Sequence, residues 1–374
     1  MQKLKNIDFL RVIGCITIIL LHLFAIPRLS GLFPDIGLYT KLQSMTSNGQ
    51  KAVDLFFIIS GFFFALKLNT TKSILDFLKN KLIRLYPVLI FITLLCFIAS
   101  LFGTMDFKWY DNILNLLFLG GTPLFINYSN IGISWYISAM LWTFILFYYL
   151  LKNYEKKHVH LTFAILIFFC YSFLIHTKGG KIYGTIQTYY NVFNLGMLRA
   201  IGGIGIGYFI AEWYKSNIEQ IKTLTLNIKQ RLCLTVFEFM CVFFIINNLI
   251  LHKPHFKNHI VFIIVFALTI ILFLVNKGYI STVLNNNIWL NLSKYTYSLY
   301  MTHLILFNIL RGSFWKYHPE WVYAHPVLNI ELALTLALLL GVFTYHFVEV
   351  PCARYLKEKF QNPYPIRISG GGSP

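Results

Sequence analysis

The sequence predicts an all-α protein: a polytopic transmembrane helical bundle of about ten spans, with both termini cytoplasmic. Three observations predict it. Of the 374 residues, 57% are hydrophobic and 12% charged, and the mean hydropathy is +0.63. That charge content is about half the soluble average. Ten apolar stretches have the length a bilayer demands: 9–26, 52–69, 85–102, 133–151, 161–176, 191–213, 231–251, 259–276, 289–310 and 329–349. Finally, with the N-terminus inside and sides alternating, 21 of the 32 Lys and Arg fall on the cytoplasmic side and 10 on the outer side, with Arg199 inside a span. Short loops biased in this way orient a membrane protein.

Topology therefore accounts for most of the net charge of +18, and nucleic acid is not an expected partner. Inner-leaflet anionic lipid or a polyanionic cosubstrate also suits the cytoplasmic cations. Residues 1–351 read as one membrane domain. Residues 352–374 read as a short cytoplasmic tail, disordered at its end, ISGGGSP. A weaker apolar stretch near 112–126 reads as re-entrant or interfacial. The six cysteines show neither metal-ligand nor disulfide spacing and read as small packing residues. No metal is expected, and no cleavable signal.

The first span carries Arg11 and His22 in FLRVIGCITIILLHLF. Eleven residues bring the two to within about 20° of the same helix face, roughly 16 Å apart along the axis. Ionisable side chains at membrane depth point to function because they are expensive to leave unpartnered. The pair reads as a cation at the inner edge and a titratable base deeper in, serving catalysis or ligand binding. A structural polar network is the competing reading.

A loop with Pro27, Gly31, Pro34 and Gly37 follows. The second span, KAVDLFFIISGFFFAL, opens with Asp54 at its outer entrance, where a carboxylate favours the helix N-terminus. In LKNKLIRLYP, Lys81 and Arg84 are neighbours if the stretch is helical, and also read as ordinary positive-inside residues. Pro87 suits the first turn of the third span. Trp135 and Tyr136 in ISWYISAMLW suit the membrane interface. The sixth span, MLRAIGGIGIGYFIAEW, contains the spacing Gly203-x3-Gly207, which permits close helix approach, and Arg199. Glu238 lies in the seventh span, and Arg199 and Glu238 are expected to pair with each other or with backbone. His303 lies well inside the ninth span. Glu349 and Pro351 mark the inner end of the tenth. Asp54, Arg199 and His303 are the candidate substrate-contacting or site-lining residues. Most of the aromatic residues are expected to face lipid or the interface, with an enclosed subset available to stack on a sugar.

These segments, in order, resemble acyltransferase family 3. DFLRVIGCITIILLH resembles the family's arginine-x10-histidine helix, VDLFFIISGFF its second-helix signature, and KLIRLYP its arginine-x2-arginine segment. SWYISAMLW, RAIGGIGIGYFI, SLYMTH and FVEVP resemble later segments. The resemblance implies an integral membrane O-acyltransferase of the bacterial inner membrane. It would move an acetyl or other short acyl group from acyl-CoA, with acetyl-CoA the expected donor, to a hydroxyl of a lipid-linked or cell-surface glycan. It implies His22 as catalytic base, Arg11 as its partner, and Arg11, Lys81 and Arg84 as contacts to the donor. Lys81 stands where the family has an arginine, so charge is kept and a bidentate fork is lost. Asp8, three residues before Arg11, is placed to orient it. A polytopic transporter or flippase for a glycan or anionic substrate is the alternative reading. Paired broken helices and internal symmetry would mark it, and the sequence shows no such symmetry.

Overall fold

The protein is described by a computed structural model over residues 4–29, 37–68, 73–120, 122, 132–177, 188–189, 192–251 and 259–361. Its helices are α1 (Lys5–Leu29), α2 (Gly37–Thr46), α3 (Ala52–Leu68), α4 (Ile74–Leu101), α5 (Trp109–Leu116), α6 (Trp135–Asn153), α7 (Lys156–Thr177), α8 (Leu195–Thr223), α9 (Ile228–Ile246), α10 (His259–Val275), α11 (Tyr279–Leu284), α12 (Asn287–Ser293), α13 (Thr296–Gly312), α14 (Phe314–Tyr317), α15 (Pro319–Ala324), α16 (Pro326–Thr344) and α17 (Val350–Gln361). A two-residue antiparallel ladder, Thr188–Tyr189 with Phe193–Asn194, precedes α8.

Among the described residues seven helices are long and apolar enough to cross a membrane. The other three predicted spans are α3, α10 and α13, each of 17 residues. At 1.5 Å per residue they reach about 26 Å, slightly less than a bilayer core of about 30 Å. The predicted span 289–310 is divided: α12 ends at Ser293 and α13 begins at Thr296, with Lys294 at the break lying over the Tyr295 ring. The peripheral helices α9 and α16 turn large apolar side chains outward, among them Phe237, Met240, Phe243, Leu332, Leu336 and Leu339, as a lipid-facing surface requires.

The centre of the bundle is the contact of α3 with α8. The two run parallel. Asp54 meets Arg199 at one end, and the Ala65 carbonyl accepts from Lys215 Nζ, 2.7 Å, at the other. Between them Gly61 and Gly207 lie directly on backbone: a Cβ at Gly61 would collide with the Ile204 carbonyl and one at Gly207 with the Ile58 carbonyl. The predicted glycine spacing is thus an approach of two backbones, in which α8 forms the wall of α3.

Several sequence expectations are corrected. Helix α4 begins at Ile74, capped by Ser73 Oγ accepting from the Asp76 amide, 3.1 Å, so Pro87 lies inside the helix and not in its first turn. Lys81 and Arg84 therefore stand one turn apart on a continuous helix. Arg199 and Glu238 do not pair with each other; Arg199 pairs with Asp54 and, as the backbone alternative expected, both meet backbone groups. Glu238 accepts from the Ser281 amide, 3.1 Å, with Gly278 so close that a Cβ there would meet the carboxylate. Trp135 is buried and Tyr136 partly so, both packed within the bundle. Cys15, Cys96 and Cys170 are buried as packing residues, whereas Cys233 and Cys352 are exposed. Past α16 a π-helical turn, Tyr345–Glu349, leads into α17, so residues 352–361 are helical. Pro351 lies inside this continuous helix, directly after the π-helical turn. Gly31, Pro34, residues 121 and 123–126, and the ISGGGSP tail lie outside the described residues, as does the side chain of Pro27.

Substituting Gly207 by Val is expected to destabilise the detergent-solubilised protein by about 3 kcal/mol, at the upper end of overpacking costs, and to lower its Tm. Gly37→Ala, where a Cβ meets nothing within 4 Å, should leave Tm unchanged.

Candidate functional site

Two cavities lie along α1. The first holds the cations. Arg11, Lys81, Arg84, Phe56, Ser60, Tyr136, Tyr297 and Tyr300 border a space of about 190 Å³. Arg11 donates from Nη1 to Asp8 Oδ1 at 2.9 Å, one turn back on the same helix, and its guanidinium lies 4.6 Å from the Phe63 ring centre. Lys81 extends over the Phe144 ring, 5.2 Å away, and lies near enough to Lys67, Arg84 and Arg11 to feel their charge. Arg84 donates from Nε to Glu349 Oε1 at 3.2 Å. Glu349 is held in turn by Ser298 Oγ donating to Oε2 at 2.7 Å. The π-helical turn ending at Glu349 lets the carboxylate reach both α4 and α13. Of the three cations that border the cavity, Arg11 is paired with Asp8 and Arg84 with Glu349, and Lys81 leaves the mouth with an excess of positive charge. Arg84 is engaged through Nε alone, and its side chain is 59% exposed, so its terminal amino groups remain available.

The second cavity, about 250 Å³, is bordered by His22, Ile18, Gln50, Val53, Ile133, Trp135, Arg199, Tyr300 and Leu304. His22 Nδ1 lies 3.0 Å from His303 Nε2, and His303 Nδ1 lies 3.0 Å from the Leu299 carbonyl. A carbonyl only accepts, so His303 Nδ1 carries a hydrogen. In a neutral ring its Nε2 is then an acceptor, and His22 Nδ1 must donate to it. This tautomer, assigned from the hydrogen-bond partners, leaves His22 Nε2 with a bare lone pair. His303 is fully buried and reaches the cavity through His22.

Arg199 forms the polar wall of the second cavity. Its guanidinium donates from Nε to Asp54 Oδ1 and from Nη2 to Asp54 Oδ2, both at 3.0 Å, and from Nη2 to the Gln50 carbonyl at 3.0 Å. It also lies 5.6 Å from the Trp135 ring centre. Arg199 and Asp54 are 1% and 2% exposed. Asp54 sits in the first turn of α3 as the sequence suggests, but its carboxylate is spent on Arg199.

The predicted residues are thus divided. Arg11, Lys81 and Arg84 share the first cavity. His22 and Arg199 share the second, with His303 and Asp54 supporting them from behind. Sequence reasoning missed Phe56, Ser60, Tyr136 and Tyr300 as cavity-lining groups. Tyr300 could have been found, because it lies one helical turn before His303 and so on nearly the same face. The Ser60 Oγ to Tyr136 Oη contact of 3.1 Å joins residues 76 positions apart and has no sequence signal.

A family model described as an acyltransferase domain matches residues 4–346. With seven helices fit to cross a membrane, this defines a multi-pass membrane acyltransferase. The chain belongs to acyltransferase family 3. No curated protein and no solved structure matches it. The transporter reading has no observation in its favour.

Removing one partner of a buried ion pair strands the other charge. Asp54→Asn is therefore expected to cost about 3–5 kcal/mol, read as a lowered denaturation midpoint in detergent.

Proposed function

We propose that the protein moves an acetyl or other short acyl group from acyl-CoA, taken from the cytoplasm, to a hydroxyl of a lipid-linked or cell-surface glycan. Its setting is the bacterial inner membrane, with about ten spans and both termini cytoplasmic. The observation that carries this reading is the pair of adjoining cavities: one rich in cations, the other containing a histidine with a bare Nε2, set roughly 16 Å apart on one helix.

The excess of cations over carboxylates in the first cavity suits a polyanionic donor. Arg11, Lys81 and Arg84 hold its phosphate oxygens by charge-assisted hydrogen bonds, Lys81 as a point charge and the arginines as planar forks. The donor supplies a thioester, a carbonyl already activated for acyl transfer. His22 Nε2 takes the proton of the acceptor hydroxyl as that oxygen attacks the thioester carbonyl. The new C–O ester bond forms, the C–S bond breaks, and His22 passes the proton to the departing sulfur, giving free CoA thiol. His303 keeps the His22 ring in the required tautomer and accepts a charge-assisted hydrogen bond from Nδ1 while the imidazolium exists. Trp135, Gln50 and Arg199 offer the acceptor a ring face and polar groups.

Two experiments test this. Purified protein in nanodiscs is given radiolabelled acetyl-CoA and a pool of lipid-linked glycans. Label incorporation should fall about 10²–10⁴-fold in His22→Ala and be lost in Arg11→Ala, with folding retained. Undiminished transfer by His22→Ala would sink the mechanism. Secondly, Lys81→Ala should raise the KM for acetyl-CoA about tenfold or more, Lys81→Arg should restore it, and KM should rise with ionic strength. A KM indifferent to all three would remove the phosphate-binding assignment.

A further inference from the structure

The two cavities have one residue in common. Tyr300 borders both. Its ring is part of a closed triangle of aromatic residues supplied by three helices. The ring centres of Tyr136 and Tyr300 are 5.8 Å apart at 65°, those of Phe56 and Tyr300 6.4 Å at 70°, and those of Phe56 and Tyr136 6.4 Å at 65°. All three pairs are edge-to-face, the arrangement ring quadrupoles favour, each pair contributing about 0.5–1.5 kcal/mol. The triangle is also braced. The Ser60 hydroxyl holds Tyr136 Oη at 3.1 Å, and Phe56 lies against Gly14 of α1, where an added Cβ would approach the ring to 3.1 Å. Gly14 lies three residues past Arg11 and eight before His22, roughly 5 Å and 12 Å along the helix axis. The collar thus stands between the cations and the histidine.

We propose that Phe56, Tyr136 and Tyr300 form the acyl-size filter of this enzyme. The inference rests on the acyl-CoA reading above. A donor held by Arg11, Lys81 and Arg84 has to present its acyl carbon to His22 across the position where the two cavities meet at Tyr300. An acetyl group, at the leading end of the donor, carries only one methyl group past the rings. Each further methylene must displace a ring that is held by its two neighbours, with Tyr136 held also by Ser60 and Phe56 by Gly14, and one methylene in a fitted apolar site changes rates by about 10–200-fold. The three rings are therefore specificity-determining residues that take no part in proton transfer.

The test is the ratio of butyryl to acetyl transfer. Initial rates are measured in nanodiscs with labelled acetyl-CoA, propionyl-CoA and butyryl-CoA and the glycan pool. Wild type is compared with Tyr300→Ala, Phe56→Leu and Tyr300→Phe. Wild type should discriminate against butyryl. Tyr300→Ala and Phe56→Leu should raise the butyryl-to-acetyl ratio about tenfold or more. Tyr300→Phe, which keeps the ring, should hold the wild-type ratio; a general loss of fold would lower all three rates together. If Tyr300→Ala does not fold, the milder Phe56→Leu decides. Continued acetyl transfer at the wild-type ratio in the opened variants would overturn the filter, as would a wild type that uses butyryl-CoA as readily as acetyl-CoA. Absence of transfer from any acyl-CoA by the wild type would overturn the acyl-CoA reading, and the filter with it.

Discussion

The approach of α3 to α8 governs the rest of the molecule. Without apolar solvation as a drive, helices in a bilayer associate by packing and by satisfying polar groups internally. Here Gly61 and Gly207 bring backbone onto backbone, and the ends of the contact are closed by Asp54 with Arg199 and by the Ala65 carbonyl with Lys215. Helix α3 makes its most extensive packing in this contact. Phe57 packs against Trp135 and Tyr136 of α6, Phe56 turns toward α1 and α13, and Arg199 is presented to the cavity that contains His22. The glycines serve the site indirectly, by fixing the helix that forms its wall.

Charge is arranged differently at the two levels of the site. At the mouth, the three cations Arg11, Lys81 and Arg84 stand with two carboxylates, and those carboxylates are themselves held: Asp8 is one turn away from Arg11 on the same helix, and Glu349 is fixed by Ser298. The cations are oriented without being neutralised. Deeper in, Arg199 and Asp54 form a bidentate pair, and Arg199 Nη2 also donates to the Gln50 carbonyl. A charge so far from water is tolerable only with its partner and hydrogen bonds complete. The mouth is built to receive an anion, and Arg199 in the interior already has its carboxylate.

His22 is supported from outside its own helix. Its ring nitrogen meets His303 on α13, and His303 is fixed by the carbonyl of Leu299 one turn earlier. Because that carbonyl can only accept, a backbone atom of α13 determines which nitrogen of a histidine on α1 carries the lone pair. The parallel packing of α1 and α13 is what makes this possible. Cys15 lies beside the Thr296 carbonyl and His22 beside His303, so the two helices keep step over the whole distance between the cavities.

The sequence by itself determined the helical class, the apolar stretches, the glycine spacing and the residues of greatest chemical weight, because each is a local property of composition or of the 3.6-residue period. Arg11, His22, Lys81, Arg84, Arg199 and His303 were all legible as ionisable groups in or beside apolar runs, and Asp8 as a neighbour of Arg11. Partnership was not legible. Arg199 and Glu238 read as pairing with each other or with backbone; both do meet backbone, at the Gln50 carbonyl and the Ser281 amide, but the carboxylate partner of Arg199 is Asp54, 145 residues away. Pro87 read as a helix start because the basic run before it looked like a loop, but Ser73 caps the helix earlier. Trp135 and Tyr136 read as interfacial because amphipathic rings prefer that depth; their contacts with Arg199 and Ser60 inside the bundle have no sequence signal. The division of the site into two cavities, with three rings between them, was decided by tertiary structure alone. It depends on which faces of α1, α3, α6 and α13 meet, and no periodicity within one helix records the rotation of another.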